Sequence, residues 1–263
     1  IAANISLEQS TSSGLNVLAE FKVPGAKETL VIGAHGDHLG RGLEGTSLAK
    51  GPDAGGVHYG ADDNASGVTA VLQVAEHLSS QIKSKKFVPK QNIVFAIWSG
   101  EEIGLLGSSH YLKENRRRIS AYLNLDMVGR LRDSLILQGT ASAKEWPLLI
   151  ESYAAKSKLP IAMVSDPFVP SDAMAFYIKG IPALHFFTGA HSEYHTPKDT
   201  PETLNYEGIS KIAKLVGDIT QDLGKTAKSK LNYVKVESSS KGPGGEGRSF
   251  RIFLGTIPDY TQE

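Results

Sequence analysis

The feature that most constrains the fold of this chain is a series of short, nearly continuous apolar runs separated by longer amphipathic segments. Three of these runs are TLVIGA at residues 29–34, NIVFAIW at residues 92–98 and AYLNLDMVG at residues 121–129. Apolar runs of this length without polar alternation are typical of strands that are covered on both faces. We therefore expect the strands to lie inside the molecule and the helices outside.

The segments between the runs have helical periodicity. Apolar residues recur at three- and four-residue spacing from Val68 to Ile82, which predicts an amphipathic helix over residues 65–83. Strands alternating with helices predict an α/β fold, a three-layer sandwich whose mixed, mostly parallel central sheet is flanked by helices. The other predicted strands are 15–23, 135–139 and 182–187, and the other predicted helices are 104–116, 144–157, 171–179 (capped by Ser171) and 202–223. Pro24 and Gly25 predict a hairpin or a short connection between the first two strands.

Composition excludes several classes of protein. Lysine plus arginine number 28, as do aspartate plus glutamate, so no basic field predicts a nucleic-acid partner. The chain has no cysteine, which rules out disulfides and thiolate metal sites. No apolar run approaches the ~20 residues of a membrane helix, so we expect no membrane span. The sequence begins at Ile1 without a signal peptide, and we expect the true start to precede it.

Acidic and histidine residues lie at the ends of predicted strands or just after them. They are His35, Asp63, the pair Glu101 and Glu102, Asp126, and His195. The carboxyl ends of the strands line the ligand crevice of an open α/β sheet, and imidazole and carboxylate are zinc ligands. The set is large enough for two metals bridged by one carboxylate, which can activate a shared water. Because neighbouring side chains diverge, one glutamate can bind metal while the other acts as a general base.

Five segments carry a family resemblance. In chain order they are GAHGDH (33–38), GADDNASG (60–67), WSGEEIGLLGS (98–108), LNLDMVGR (123–130) and YHTPKDTPETL (194–204). Together they resemble the di-zinc aminopeptidases of the bacterial leucyl aminopeptidase type, over about residues 15–223. The resemblance implies the three-layer fold of zinc peptidases and a pair of zinc ions.

The resemblance also implies a metal ligand set. His35 and Asp126 would bind one zinc, and Glu102 and His195 would bind the other. Asp63 would bridge the two ions, aimed by a cis peptide bond to the residue that follows it.

Three further roles follow from the same resemblance. Glu101 would be the general base, Asp37 would orient His35, and Tyr194 would donate a hydrogen bond to the developing oxyanion. Relatives often carry Ser-Asp-His where this chain has Ser171, Asp172 and Ala173, which puts a substrate contact in question and not the metal pair.

Some nearby residues have less defined roles. His38 and His191 flank proposed ligands and are candidates for contacts to substrate or to the ligands. Asp62 is expected to support its loop. The apolar segment around Phe168, Met174, Phe176 and Tyr177 is a candidate wall of the side-chain pocket.

Taken with the resemblance, the sequence predicts a metallo-exopeptidase that acts on peptides with a free N-terminus. Two alternatives stay open, a single-zinc glutaminyl cyclase and a non-catalytic binding scaffold of the same fold. Residues 1–228 are expected to form the peptidase domain, and residues 229–263 a linker followed by the start of a PDZ-like domain. Relatives suggest a secreted or periplasmic protein, and the sequence does not indicate an oligomeric state.

Overall fold

The structure is a computed structural model that describes residues 13–42 and 46–237. It contains a sheet of seven strands flanked by five α-helices. The strands are β1 (Val17–Phe21), β2 (Glu28–His35), β3 (Asn92–Trp98), β4 (Arg118–Leu125), β5 (Leu135–Gln138), β6 (Ile161–Val164) and β7 (Ala183–Phe187). The helices are α1 (Gly67–Lys83), α2 (Leu106–Glu114), α3 (Trp146–Ser157), α4 (Asp172–Ile178) and α5 (Tyr206–Gly224).

The central part of the sheet is parallel. The strand order is β1-β3-β2-β4-β7-β5-β6, in which β2 pairs in parallel with β3 and β4, and β4 with β7. Strands β1 and β5 run antiparallel to β3 and β7. The predicted mixed, mostly parallel sheet is confirmed. Since β1 pairs with β3 and not with β2, the turn at Pro24 and Gly25 is a short connection and not a hairpin.

Helices cover both faces of the sheet. Strand β2 is buried along its whole length, as its apolar sequence predicts. Helices α1 and α5 pack together over one face, and α1 buries Ala70, Val71, Val74 and Leu78 there. Helices α2 and α4 pack together on the other face, against a smaller apolar cluster that includes Phe176. The three-layer sandwich is therefore as predicted.

Two element boundaries differ from prediction near the site. Strand β4 ends at Leu125, so Asp126 follows the strand and does not lie inside it. Helix α1 begins at Gly67, because residues 61–66 form a wide turn with a cis Asp63–Asn64 peptide bond and non-helical backbone angles. Strand β6 was not predicted, since four mostly exposed residues at a sheet edge give little hydrophobic signal.

Residues after α5 contact the domain before the described chain ends. The Ser229 amide donates to Glu28, Asn232 contacts Glu145, and Tyr233 forms a β-bridge with Ala143. The division of the chain at residue 228 stays a prediction, and the PDZ-like segment lies outside the described residues. None of the helices in the described part of the chain is both long enough and apolar enough to cross a membrane.

Candidate metal centre

The carboxyl ends of β2 and β4 bring the first group of predicted ligands together. His35 is the last residue of β2, and Asp126 directly follows β4, the strand that pairs with β2 in parallel. The Nε2 atom of His35 lies 3.1 Å from Asp63 Oδ1 and 3.4 Å from Asp126 Oδ1. These three residues can offer ligand atoms within 4.8 Å of one another.

A second group forms on the other side of Asp63. His195 Nε2 lies 3.1 Å from Asp63 Oδ2 and 3.1 Å from Glu102 Oε2. The two carboxylate oxygens of Asp63 therefore face two different imidazoles, those of His35 and His195. All five predicted ligand residues come together in the two groups that the sequence analysis expected.

The backbone around Asp63 is held by buried hydrogen bonds. The Asp199 carboxylate accepts hydrogen bonds from the amides of Asp62 and Asp63, each at 3.0 Å. On the other side, Asn64 Oδ1 accepts from the Gly67 amide at the start of α1. The backbone on both sides of the Asp63 side chain is thus held in place by hydrogen bonds.

The Asp37 carboxylate contacts the glutamate pair more closely than it contacts His35. Its carboxylate accepts from the amides of Glu101 at 3.1 Å and Glu102 at 3.2 Å. Its carboxylate lies 3.8 Å from His35 Nδ1, whereas its backbone carbonyl lies 3.1 Å from that nitrogen. Asp37 therefore positions the turn that carries both glutamates, and His35 is oriented by the peptide of Asp37.

The second nitrogen of each predicted histidine ligand contacts a backbone carbonyl. His195 Nδ1 lies 2.9 Å from the Thr46 carbonyl, and His35 Nδ1 makes the contact with Asp37 described above. A carbonyl can only accept, so both rings carry a proton on Nδ1 and turn Nε2 toward the carboxylates.

His38 also contacts the predicted ligands, and the sequence indicated this only through its position next to Asp37. Its Nδ1 lies 2.8 Å from Glu102 Oε1 and 3.9 Å from Asp63 Oδ2. The ring therefore supports the Glu102 carboxylate from the side opposite His195.

The site is electrostatically matched to cations. Although burial lowers it, the carboxylates of Asp126 and Asp63 raise the pKa of His35 well above its usual value. Burial also opposes the shift at His195, but Asp63 and Glu102 raise its pKa to about 10. Burial works against the change at Asp63 as well, yet the two histidines hold the pKa of Asp63 below its usual range.

Glu101 and Tyr194 face the same cavity as the ligand groups. Burial raises the pKa of Glu101 well above its usual range, and Asp126 and Glu102 add to the effect although His35 opposes it. The Tyr194 ring stacks on His195 with centroids 3.8 Å apart. Burial, with Asp63 and Glu102, raises the pKa of Tyr194, so its hydroxyl keeps its proton.

The cavity has a volume of about 220 Å³. Besides the charged residues, its lining includes Met127, Val169, Pro170, Phe187 and Ala190. The predicted pocket wall around Phe176 and Tyr177 was wrong, because both side chains are buried in the apolar cluster under α4. That segment was chosen for its apolar residues, and they pack against the sheet.

A second charged cluster, the Arg130 cluster, lies behind the Asp62–Asp63 turn and consists of Arg130, Asp62, His191, Glu193 and Asp199. Arg130 donates to Glu193 at 2.7 Å and contacts Asp199 at 3.4 Å. His191 Nε2 lies 3.2 Å from Asp62 Oδ2. Asp62 also accepts from the Gly129 amide at 2.6 Å, so it supports the loop as expected. Sequence reasoning missed Arg130 and Asp199.

The residues of the metal centre fit zinc. Nε2 of His195 is buried and close to two carboxylates, yet it makes no well-directed hydrogen bond to either. A metal ion bound by this nitrogen would also be within reach of the two carboxylates, so the arrangement fits one ion held by all three groups. The donor set of imidazole nitrogens and carboxylate oxygens is also one that zinc accepts.

The sequence is similar to a peptidase family and to proteins named as aminopeptidases. The pattern of peptidase family M28 matches residues 16–220. Probable leucine aminopeptidase 2 from Aspergillus fumigatus is 30% identical over 197 residues, which is 67% of this chain and 34% of that protein. Aminopeptidase YwaD from Bacillus subtilis is 31% identical over 170 residues, 60% of this chain and 36% of that protein. The chain spans about a third of the length of these two relatives.

Solved structures share the fold. BSAP, a zinc aminopeptidase from Bacillus subtilis, has a TM-score of 0.62 at 24% identity, covering 82% of this chain and 51% of that one. The aminopeptidase from Aneurinibacillus sp. strain AM-1 has a TM-score of 0.61 at 27% identity, with 84% and 50% covered. Porphyromonas gingivalis glutaminyl cyclase also has a TM-score of 0.62, at 19% identity, with 79% and 77% covered. Since the family pattern extends over well more than half of the residues, including every segment that contributes to the site, the chain belongs to peptidase family M28.

Proposed function

We propose that this chain is a zinc-dependent aminopeptidase domain that hydrolyses the N-terminal peptide bond of peptides with a carboxylate-bridged pair of zinc ions. The observation that carries the proposal is the position of Asp63, whose two oxygens each lie 3.1 Å from a different imidazole. A carboxylate with this arrangement fits a bridge between two ions. The names of the relatives, aminopeptidases and a zinc aminopeptidase, support the same reading.

In this proposal each ion has its own pair of terminal ligands. His35 and Asp126 would hold one zinc, His195 and Glu102 would hold the other, and Asp63 would contribute to both sites. When bound, the two ions supply an activated water and polarise the scissile carbonyl.

Glu101 and Tyr194 carry out the proton transfer and the charge stabilisation. Glu101 takes the proton of the attacking water and returns it to the leaving amine, a role that suits a carboxyl whose pKa burial has raised. Tyr194 keeps its proton and donates a hydrogen bond to the oxyanion. Asp37 holds the amides of Glu101 and Glu102, so the base and the neighbouring ligand keep a fixed relative position.

The shape of the site supports cleavage at the end of a peptide. The cavity of about 220 Å³ has room for roughly one residue, and the carboxylates around it favour a free ammonium group. A groove of about 980 Å³ shares Glu102 with the cavity and offers the path for the rest of the peptide.

The proposal is tested by adding zinc in steps to chelator-treated protein while following hydrolysis of aminoacyl anilides and of their N-acetylated forms. We expect activity to reach its maximum at two zinc ions per chain and acetylation to abolish cleavage. Full activity at one ion per chain, or equal cleavage of acetylated substrates, would contradict it.

A glutaminyl cyclase remains the alternative, since one such enzyme shares the fold. Mass analysis of a peptide with N-terminal glutamine separates the two reactions. Hydrolysis releases free glutamine and the shortened peptide, whereas cyclisation releases only ammonia and keeps the chain length. A cyclised product with no free glutamine would overturn the aminopeptidase proposal.

A further inference from the structure

Two polar residues line the catalytic cavity without taking part in the proposed chemistry. His185 lies on β7 and is 4% exposed, and Gln138 lies at the end of β5. In the sheet, His185 lies directly opposite Gln138 of β5 on one side and Asn124 of β4 on the other. Directly paired residues point to the same face of a sheet, so the three side chains form one row.

A chain of hydrogen bonds fixes the orientation of the Asn124 amide. Trp98 Nε1 can only donate, and it donates to the Tyr122 hydroxyl at 2.7 Å. The Tyr122 hydroxyl therefore directs its own proton to Asn124 Oδ1, at 2.6 Å. With Oδ1 occupied in this way, the Asn124 Nδ2 group faces His185 Nδ1 at 3.0 Å and donates to it.

This arrangement determines the tautomer of His185. Nδ1 accepts from Asn124, and Ser171 Oγ, 3.1 Å away, is free to donate to it as well. Burial lowers the pKa of His185, which keeps the ring neutral. A neutral ring that accepts at Nδ1 carries its proton on Nε2. No residue in the described part of the chain accepts a hydrogen bond from that Nε2–H group, which is left to face the cavity.

Gln138 adds a second polar group to the same end of the cavity. Its side-chain amide has no hydrogen bond to any of the described residues, and it offers both an acceptor and a donor. The other uncharged walls, Met127, Val169 and Phe187, are apolar. A side chain that enters this cavity therefore meets apolar sides and a hydrogen-bonding floor.

We propose that His185 and Gln138 select peptides whose N-terminal residue ends in a carboxamide, glutamine or asparagine, over peptides that begin with leucine. This specificity rests on the proposed aminopeptidase function. The carboxamide oxygen accepts from His185 Nε2–H, and the carboxamide NH₂ group donates to Gln138 Oε1. Leucine satisfies neither group while it removes both from water, and buried polar groups left unpaired are the strongest source of discrimination in such pockets.

The test compares the ratio of kcat/KM for glutaminyl and leucyl coumarylamides in the zinc-loaded wild type and in single variants. We expect the wild type to favour the glutaminyl substrate by at least about tenfold, and His185→Leu and Gln138→Leu to lower the ratio about 10–100-fold each. Gln138→Leu is the second variant because Gln138 is less buried than His185 and takes no part in the series of hydrogen bonds that runs through Asn124, so this change should disturb the fold less. His77→Leu is the matched control, since this histidine lies on α1 beside Gln221, and its ratio should equal that of the wild type.

Binding of the free amino acids gives a readout that needs no turnover. In calorimetric titrations of the zinc-loaded protein, L-glutamine should bind more tightly than L-leucine, and His185→Leu should remove the difference. Hydrolysis of both substrates with leucine preferred, or an unchanged ratio in both variants, overturns the specificity proposal and leaves the aminopeptidase function standing. Absence of hydrolysis of every aminoacyl substrate, with binding that does not distinguish the two amino acids, overturns both.

Discussion

Two charged clusters meet at the Asp62–Asp63 turn, since Asp62 belongs to one and Asp63 to the other, and they are neutralised in different ways. The Arg130 cluster has its own permanent cation, and its carboxylates also accept hydrogen bonds from backbone amides. The metal centre gathers four carboxylates, those of Asp63, Glu101, Glu102 and Asp126. Among the described residues, the side chains that pair with the carboxylates of Asp63, Glu102 and Asp126 are all histidines. Its carboxylates raise the pKa values of His35 and His195, so in the absence of metal the positive charge comes from protons.

This difference predicts a structural role for the Arg130 cluster and a metal-binding role for the other cluster. A guanidinium stays charged at any pH that the protein meets, so the positive charge in its ion pairs with the neighbouring carboxylates does not depend on pH or on a bound ion. Protons on imidazoles are exchanged readily for metal ions, because zinc binds the neutral ring and the ionised carboxylate. Asp199 links the two clusters, since it contacts Arg130 and also accepts from the Asp63 amide.

The largest expected effect concerns catalysis in the metal centre. Glu101→Gln removes the proton acceptor but none of the proposed zinc ligands, so turnover of aminoacyl anilides should fall about 10²–10⁴-fold while the zinc content stays the same. Steady-state kinetics and metal analysis on the same sample check this. Glu151→Gln, on the exposed face of α3, is the control and should keep wild-type turnover. Near-normal turnover in Glu101→Gln would refute the role of this residue.

The next prediction contrasts the two clusters directly. Arg130→Met leaves Asp62, Glu193 and Asp199 without their cation, so the free energy of unfolding of the metal-free protein should fall by about 3–5 kcal/mol. Added zinc should stabilise this variant as much as it is expected to stabilise the wild type. Asp63→Asn should instead lose the stabilisation by zinc, because the proposal has Asp63 contribute to both zinc sites. Denaturant titrations with and without zinc measure both effects, and the opposite pattern would show that the clusters are assigned the wrong way round.

A smaller effect is expected at Asp172, a buried carboxylate that belongs to neither cluster. Neither of its oxygens makes a well-directed hydrogen bond to any of the described residues, and burial raises its pKa from 3.8 to about 7. Between these values the folded state holds a proton that the unfolded state has released, so stability falls as pH rises and levels off above about pH 7.

Asp172→Asn should remove this decline. From about pH 5 to about pH 7 the wild type should lose about 2–3 kcal/mol of unfolding free energy relative to the variant, at 1.36 kcal/mol for each unit. Urea titrations of the metal-free proteins at the two pH values check the prediction. Parallel pH profiles for wild type and variant would exclude it.

What the sequence could predict depended on local pattern and on motif order. The grouping of His35 with Asp126 was predicted from the family resemblance of the five segments, and the structure shows its basis in two parallel strands that end side by side. Arg130 and Asp199 were missed because their partners lie 69 and 137 residues away, and neither contact has a local signature. The tautomer of His185 was equally out of reach, since it depends on the register of β4 and β7 and on a hydrogen bond that starts at Trp98.

The central claim is that one aspartate bridges two ions, and anomalous diffraction at the zinc absorption edge tests it most directly. Crystals grown with excess zinc should contain two anomalous peaks about 3.5–4 Å apart. One peak should lie between His35 and Asp126, the other between His195 and Glu102, and both should contact Asp63. A single peak at saturating zinc, or two peaks of which only one contacts Asp63, would contradict the account.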